Sequence, residues 1–152
     1  MKEWNIIAVC DHPELFEATA DWQSSKWRVP KQAYLDSMEE GRTTECGVPA
    51  WYVIQNETGS IIAGVGVIEN DFHKRKDLHP NVCALFVEEA YRKQGLAKML
   101  LNHCCEKLAE KGIHKAYLCT DHCDFYECCG WNFYDMVEED GGGTCRMYQR
   151  EF

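Results

Sequence analysis

Residues 85–112 constrain the fold more than any other part of this chain. Leu85-Phe86-Val87 closes an apolar run of strand character. A short basic segment with one glycine follows, Glu88-Glu89-Ala90-Tyr91-Arg92-Lys93-Gln94-Gly95, and then a strongly periodic stretch. Leu96, Leu100, Cys104 and Leu108 recur every four residues with Ala97, Leu101 and Cys105 beside them. Lys98, Asn102, Glu106, Lys107 and Glu110 occupy the other side, which predicts an amphipathic helix that Gly112 ends. Lys115-Ala116-Tyr117-Leu118-Cys119-Thr120 reads as the next strand. Strand, helix and strand with short joins require a right-handed parallel crossover. The join at the helix start has a chemical consequence. Unpaired backbone N–H groups and the helix dipole both favour an anion there, with Arg92, Lys93 and Lys98 adding charge. Gly95 has no Cβ to hold a phosphate away from the backbone. Neither G-x-x-x-x-G-K-[ST] nor G-x-G-x-x-G occurs, so this is not one of the two familiar nucleotide loops.

The rest of the chain supplies a mixed α/β pattern. Trp4 to Cys10 is a first strand. A helix starts at Asp11 or His12 with Pro13 in its first turn; Leu15, Phe16, Thr19 and Trp22 or Gln23 give it helical spacing, and Val29-Pro30 breaks it. Lys31 to Glu40 forms a second helix that Gly41 stops. Ala50–Ile54 and Ile61–Ile68 flank turn chemistry at Asn56 to Ser60 and form a hairpin. Gly64 and Gly66 inside the second of these strands imply close approach by another element or by a ligand. Asn70 to Asn81 is a polar loop. Asn81 to Val87 is apolar enough for burial on both faces. After the crossover come a short helix from Cys123 or Asp124 to Cys129 closed by Gly130, a strand from Trp131 to Val137, a turn at Glu139 to Gly143, and a last strand from Thr144 to Arg150. The order is β-α-α-β-β-β-α-β-α-β-β, with one domain expected over residues 1–152.

The chain carries a net charge of −9 and a pI near 5.1, the opposite of what a nucleic-acid binder needs. An acidic surface suits a cationic small molecule better. No apolar run approaches the roughly 18 residues of a membrane span. Met1-Lys2-Glu3-Trp4-Asn5 lacks the layout of a signal peptide, so a cytoplasmic protein is expected. The ten cysteines lack C-x-x-C spacing, and several replace small apolar residues, such as Cys83, Cys104, Cys105 and Cys119. Reduced structural thiols are expected, and no metal, although His122, Cys123, Cys128 and Cys129 stand close together in sequence.

Two segments carry a resemblance. Arg92-Lys93-Gln94-Gly95-Leu96-Ala97 resembles the R/Q-x-x-G-x-G/A acetyl-CoA loop of the GNAT N-acetyltransferase superfamily. Phe125-Tyr126-Glu127-Cys128-Cys129-Gly130-Trp131 is similar to that family's F-Y-E-x-x-G-F/W segment. Their order and separation also match, and residue-level likeness is confined to about residues 82–134. The resemblance implies the GNAT acyl-CoA N-acyltransferase fold, a mixed sheet splayed open between the strands before the loop and after the long helix.

It also implies roles. Acetyl-CoA would be the co-substrate, its diphosphate held by Arg92, Lys93, Gln94, Gly95, Leu96, Ala97 and Lys98. Its amide-rich pantetheine arm would pair with Leu85, Phe86 and Val87, and the Val87 N–H would polarise the thioester carbonyl. Tyr126 stands at the general-acid position beside the leaving thiol. The family's cofactor-binding Asn is missing from Cys119-Thr120-Asp121-His122, where either Thr120 or His122 substitutes for it or the contact is absent. For the base that drains the amine's proton the candidates are Glu69, chosen first, then Asp71, His73 and Glu88. The expected reaction is direct transfer to a small, cationic primary amine, with no nucleic-acid or membrane partner and a homodimer as the candidate assembly. Acidic residues of the early helices, among them Glu14, Glu17, Asp21, Asp36, Glu39 and Glu40, also favour a basic acceptor. Two other readings stay open: a non-catalytic acyl-CoA sensor, and a protein or peptide acetyltransferase. Covalent catalysis by Cys128 or Cys129 stands behind direct transfer.

Overall fold

A computed structural model describes residues 3–44, 47–122 and 124–152. The elements follow the expected order: β1 (Ile6–Ala8), α1 (Phe16–Trp27), α2 (Lys31–Thr43), β2 (Ala50–Gln55), β3 (Ile61–Ile68), β4 (Asn81–Val87), α3 (Leu96–Glu110), β5 (Lys115–Thr120), α4 (Asp124–Cys128), β6 (Asn132–Glu138) and β7 (Thr144–Glu151). The seven strands line up as β1-β2-β3-β4-β5-β7-β6 in one mixed sheet. β4 and β5 run parallel with Asn81 opposite Tyr117, as the crossover through α3 requires. β5–β7 and β6–β7 are antiparallel.

Two compact units emerge, and each is described by itself. The first draws on residues 1–66 and 84–100. Its centre is β2, apolar and buried from Ala50 to Ile54, and the buried middle of β3, including Val53, Ile54, Ala63 and Val65. The glycines of β3 face protein rather than ligand: a Cβ on Gly64 would lie 2.9 Å from the Trp22 ring, and one on Gly66 would lie 2.4 Å from the Trp51 ring. The helices α1 and α2 differ from expectation at their ends. Pro13–Leu15 forms a separate 3-10 turn ahead of α1, and Arg28 closes α1 in a left-handed conformation (φ 58°). Gly41 does not stop α2, which runs on to Thr43. A Cβ there would sit 2.6 Å from the Pro49 carbonyl oxygen, so the glycine serves close approach. β1 is shorter than predicted because Val9–Asp11 turns into a 3-10 segment.

The second unit draws on residues 67–83 and 101–152. Leu78, Tyr117, Val137, Cys145 and Met147 form one core cluster within it. The loop read as simply polar is tucked in: His73 and Leu78 are buried and His73 bridges Glu139. Helix α3 ends as its sequence predicts, with Ile113 N–H donating to the Leu108 carbonyl at 2.9 Å and Gly112 N–H to that of Ala109 at 3.0 Å.

The thiols pack as small hydrophobes at Cys83, Cys104, Cys105, Cys129 and Cys145. Cys10 departs from the expected reduced state and is disulfide-bonded. Apolar patterning reports where a sulfur packs and cannot report whether a second one lies within bonding reach. Cys123, named for both the short helix and a metal cluster, lies outside the described residues. Among the described residues no group of three or more His, Cys, Asp or Glu side chains is placed to hold a metal ion.

Candidate active site

In the first unit the site grows from the change in β4. Asn81, Val82 and Cys83 are buried, whereas Ala84, Leu85 and Phe86 are only half-buried. The expectation of burial on both faces therefore fails for the second half of the strand. Ala84 marks the break with a left-handed backbone (φ 54°), rare for a residue with a Cβ. Past β4 the chain forms a 3-10 turn at Glu89–Tyr91, anchored by a bond from Asn56 Nδ2 to the Tyr91 hydroxyl at 3.1 Å.

The loop then opens. Arg92, Lys93, Gln94 and Gly95 are exposed, and Lys93 and Gly95 both take left-handed conformations (φ 65° and 79°). The first bond of α3 runs from Met99 N–H to the Gly95 carbonyl at 3.0 Å. That leaves the amides of Leu96, Ala97 and Lys98 without intrahelical acceptors. Nothing lies within 4 Å of where a Gly95 Cβ would stand, so the loop is open at that glycine. The geometry is that of an anion site at a helix start. Arg92 points elsewhere: its Nε donates to the Val87 carbonyl at 2.9 Å and its guanidinium lies 5.4 Å from the Phe86 ring centre. Glu88, a candidate base, is already engaged, accepting from Trp22 Nε1 at 3.1 Å and pairing with Lys26.

In the second unit, the short α4 presents Tyr126. Its end is fixed by Trp131 N–H on the Tyr126 carbonyl at 3.0 Å and by Gly130 N–H on that of Glu127 at 3.2 Å. The phenol is flanked by the Phe125 and Tyr148 rings at 5.0 and 6.2 Å. Thr120 Oγ1 accepts from the His122 N–H at 3.0 Å. Burial outweighs the lowering influence of the Thr120 hydroxyl and pushes Tyr126 up to about 12. Tyr126 and Thr120 are thus brought together.

The base candidates separate. Both ring nitrogens of His73 are occupied, Nδ1 accepting from the Arg75 N–H at 3.2 Å and Nε2 bonding Asn81 Oδ1 at 2.8 Å. With Nδ1 an acceptor, Nε2 carries the proton, and this buried imidazole is a structural post. Glu69 is two-thirds exposed and pairs with His79 Nδ1 at 2.8 Å. Asp71 lines a cleft of about 280 Å³ with Phe72, Cys119, Thr120, Asp121, Glu139, Gly141 and Cys145. Burial, reinforced by Glu139 and opposed by His73, raises the Asp71 carboxyl to about 6. Sequence reasoning missed Ala84 and the residue that touches it, Gln23. The only local trace was glycine at Gly64, against which the Gln23 amide packs.

The profile of the GNAT acetyltransferase family matches residues 14–131. No curated protein matches the chain in sequence. Among solved structures, an aminoglycoside 6'-N-acetyltransferase complexed with coenzyme A is similar over 97% of this chain and 96% of its own, with a TM-score of 0.69 at 17% identity. The aminoglycoside 6'-acetyltransferase type Ii has the same coverage, a TM-score of 0.67 and 18% identity. A GNAT-family acetyltransferase from Staphylococcus aureus covers 98% of this chain and 99% of its own, with a TM-score of 0.62 at 17% identity. At such identities the structures speak for the fold, and the family profile speaks for descent. A β-α-α-β-β-β-α-β-α-β-β chain, an open amide cradle at the start of α3 and a profile spanning most of the sequence converge: this chain belongs to the GNAT family of acetyltransferases.

Proposed function

We propose that this acetyltransferase moves the acetyl group of acetyl-CoA to the primary amine of a small cationic molecule, by direct attack within a ternary complex. The observation that carries the acceptor class is the cleft of the second unit, which gathers Asp71, Asp121 and Glu139 and, among the described residues, no cation. A cleft lined by one sign of charge concentrates the opposite ion. Two structural relatives are named for acting on aminoglycosides, which fits an amine acceptor here.

On this reading the amides of residues 94–98 hold the diphosphate, and Leu85 to Val87 offer main-chain groups to pantetheine. The Val87 N–H polarises the thioester carbonyl, which gains negative charge as the amine attacks; such donors contribute about 3 kcal/mol. As the C–N bond forms, the nitrogen loses its basicity and its proton passes to a carboxylate. Asp71 suits that step, since it lines the cleft and titrates at about 6, nearer neutrality than an ordinary carboxyl. Glu69, the first expectation from sequence, is tested beside it. The C–S bond then breaks, and the thiolate takes a proton from Tyr126, which its environment keeps protonated. The strong negative net charge supports a small amine rather than nucleic acid as partner.

Acetyl-CoA consumption over a panel of matched neutral, monocationic and polycationic amines tests the reading. The expected result is a rate that increases with acceptor charge and weakens with salt. Coenzyme A binding without turnover of any amine would instead identify a sensor, and equal rates across the panel would remove the cationic acceptor.

A further inference from the structure

The left-handed turn at Ala84 and the fully buried Gln23 form one device. Gln23 Nε2 donates to the Ala84 carbonyl oxygen at 3.3 Å, from α1 to β4, across 61 residues of sequence. The direction of the amide is settled by its partner, because turning it over would set two oxygens against each other. Gln23 is inaccessible to solvent, and its Oε1 has no hydrogen-bond partner. A buried glutamine with half its amide unsatisfied is a poor choice for stability alone. Space is also reserved for it: a Cβ on Gly64 would come within 3.2 Å of its Nε2. Gln23, together with Trp22 of the same helix, thus packs against β3 while its amide reaches β4.

That carbonyl belongs to the residue where β4 stops behaving as an interior strand. An alanine at φ 54° persists only where its surroundings hold it. Immediately after it, Leu85 and Phe86 become half-buried. Reversing the backbone at one position reorients the peptide groups that follow and disrupts the regular ladder, as a bulge does.

We infer that Gln23 is a positioning residue for acetyl transfer: by holding the Ala84 carbonyl it fixes the turn that presents the main-chain groups of Leu85 to Val87 to the acyl-pantetheine. This rests on the reading that these residues receive the pantetheine arm. Gln23 itself touches neither cofactor nor acceptor on this account. Its effect passes through the backbone of β4 alone.

The test is a kinetic double-mutant cycle on the full chain, with Gln23→Leu, Ala84→Gly and the pair. Leucine keeps the bulk and apolar contact but cannot donate, and glycine adopts the left-handed turn without help. In the alanine background, Gln23→Leu should raise the KM for acetyl-CoA and lower kcat/KM about five- to tenfold, the size expected for a lost hydrogen bond plus backbone strain. The KM for the amine should stay within twofold. In the Ala84→Gly background the same substitution should lose most of that effect. Gln23→Glu gives an independent readout: a carboxylate cannot donate to the carbonyl, whereas its protonated form can, so activity relative to wild type at the same pH should recover as pH falls. Equal losses in both backgrounds, or a Gln23→Leu enzyme with wild-type kinetics, overturn the inference. Thermal melting on the same proteins shows whether each variant is folded at the assay temperature. Calorimetry of coenzyme A and its 3'-phospho-ADP fragment on the wild-type chain separates the two ideas. If the fragment binds as tightly as the whole cofactor, the pantetheine reading fails; if the arm contributes and the cycle is additive, only the role of Gln23 fails.

Discussion

The rings of Tyr126 and Tyr148 lie 6.2 Å apart, which sets the phenol that α4 presents against β7. Burial keeps the Tyr126 proton on its oxygen up to about pH 12. For Tyr126→Phe we expect kcat to fall about 100-fold, the usual scale for general acid catalysis, with coenzyme A affinity within threefold of wild type. Because the donor stays protonated below about 12, the wild-type rate should show no alkaline fall from this group between pH 7 and 10. Steady-state rates against pH, with cofactor titrations of the same proteins, check both points.

Asp71 couples activity and stability in opposite directions. Its carboxyl sits at about 6 against an ordinary 3.8, so the folded protein binds its proton more tightly than the unfolded chain does. The stability that this proton brings is complete below about 3.8 and is lost as pH rises through about 6. At pH 7 the charged Asp71 therefore costs stability, by up to about 3 kcal/mol. Asp71→Asn should raise the melting temperature at pH 7 and have little effect at pH 4. It should also remove the rise in kcat/KM through about pH 6 that the base role requires. A rise that survives in Asp71→Asn and vanishes in Glu69→Gln would move the base to Glu69.

Gly95 carries the opening of the cradle. Its φ of 79° is costly for any side chain, although a Cβ would meet nothing within 4 Å. Gly95→Ala should therefore weaken coenzyme A about five- to thirtyfold through backbone strain of about 1–2 kcal/mol. Dephospho-coenzyme A should suffer equally, since the diphosphate is the group at issue. Titration calorimetry at fixed ionic strength reads this directly.

His73 is a test of the second unit's interior. Its ring joins the Arg75 amide to Asn81, whose Nδ2 in turn donates to the carbonyls of Glu69 and Leu78 at 2.8 and 3.0 Å. His73→Leu strips Asn81 Oδ1 of a buried partner and should cost about 2–3 kcal/mol in chemical denaturation. Its loss of activity at 25 °C should be no larger than its loss of folded protein, because the ring has no spare nitrogen for chemistry.

Much of this was legible in the chain. The helix α3 buries one face and exposes the other, so its period survives in the residues, and a Schellman ending follows from Gly112. The proposed anion cradle could be suggested from sequence because such a site depends on main-chain amides at a helix start. What escaped was set by distant contacts. Nothing in Val82-Cys83-Ala84-Leu85 announces a left-handed alanine; Gln23, far off in sequence, touches it. Gly41 looked like a stop signal, and only the nearness of Pro49 explains a glycine inside α2. The polar stretch from Asn70 to Asn81 was read as solvated, yet its histidine is buried because Asn70, Arg75 and Asn81 satisfy it. Polar composition marks a loop, and hydrogen-bond partners decide whether the loop folds inward.

The outermost strand, β6, has one more consequence. Phe133, Tyr134 and Met136 all stand in solvent along a sheet margin, a composition that invites another polypeptide to add itself as the next ribbon. The pairing with β7 skips a residue: Phe133 lies opposite Tyr148 and Asp135 opposite Met147, so Tyr134 has no counterpart. That one surplus residue kinks the margin and interrupts the row of groups a newcomer would need, acting as a built-in guard against fibrous self-association.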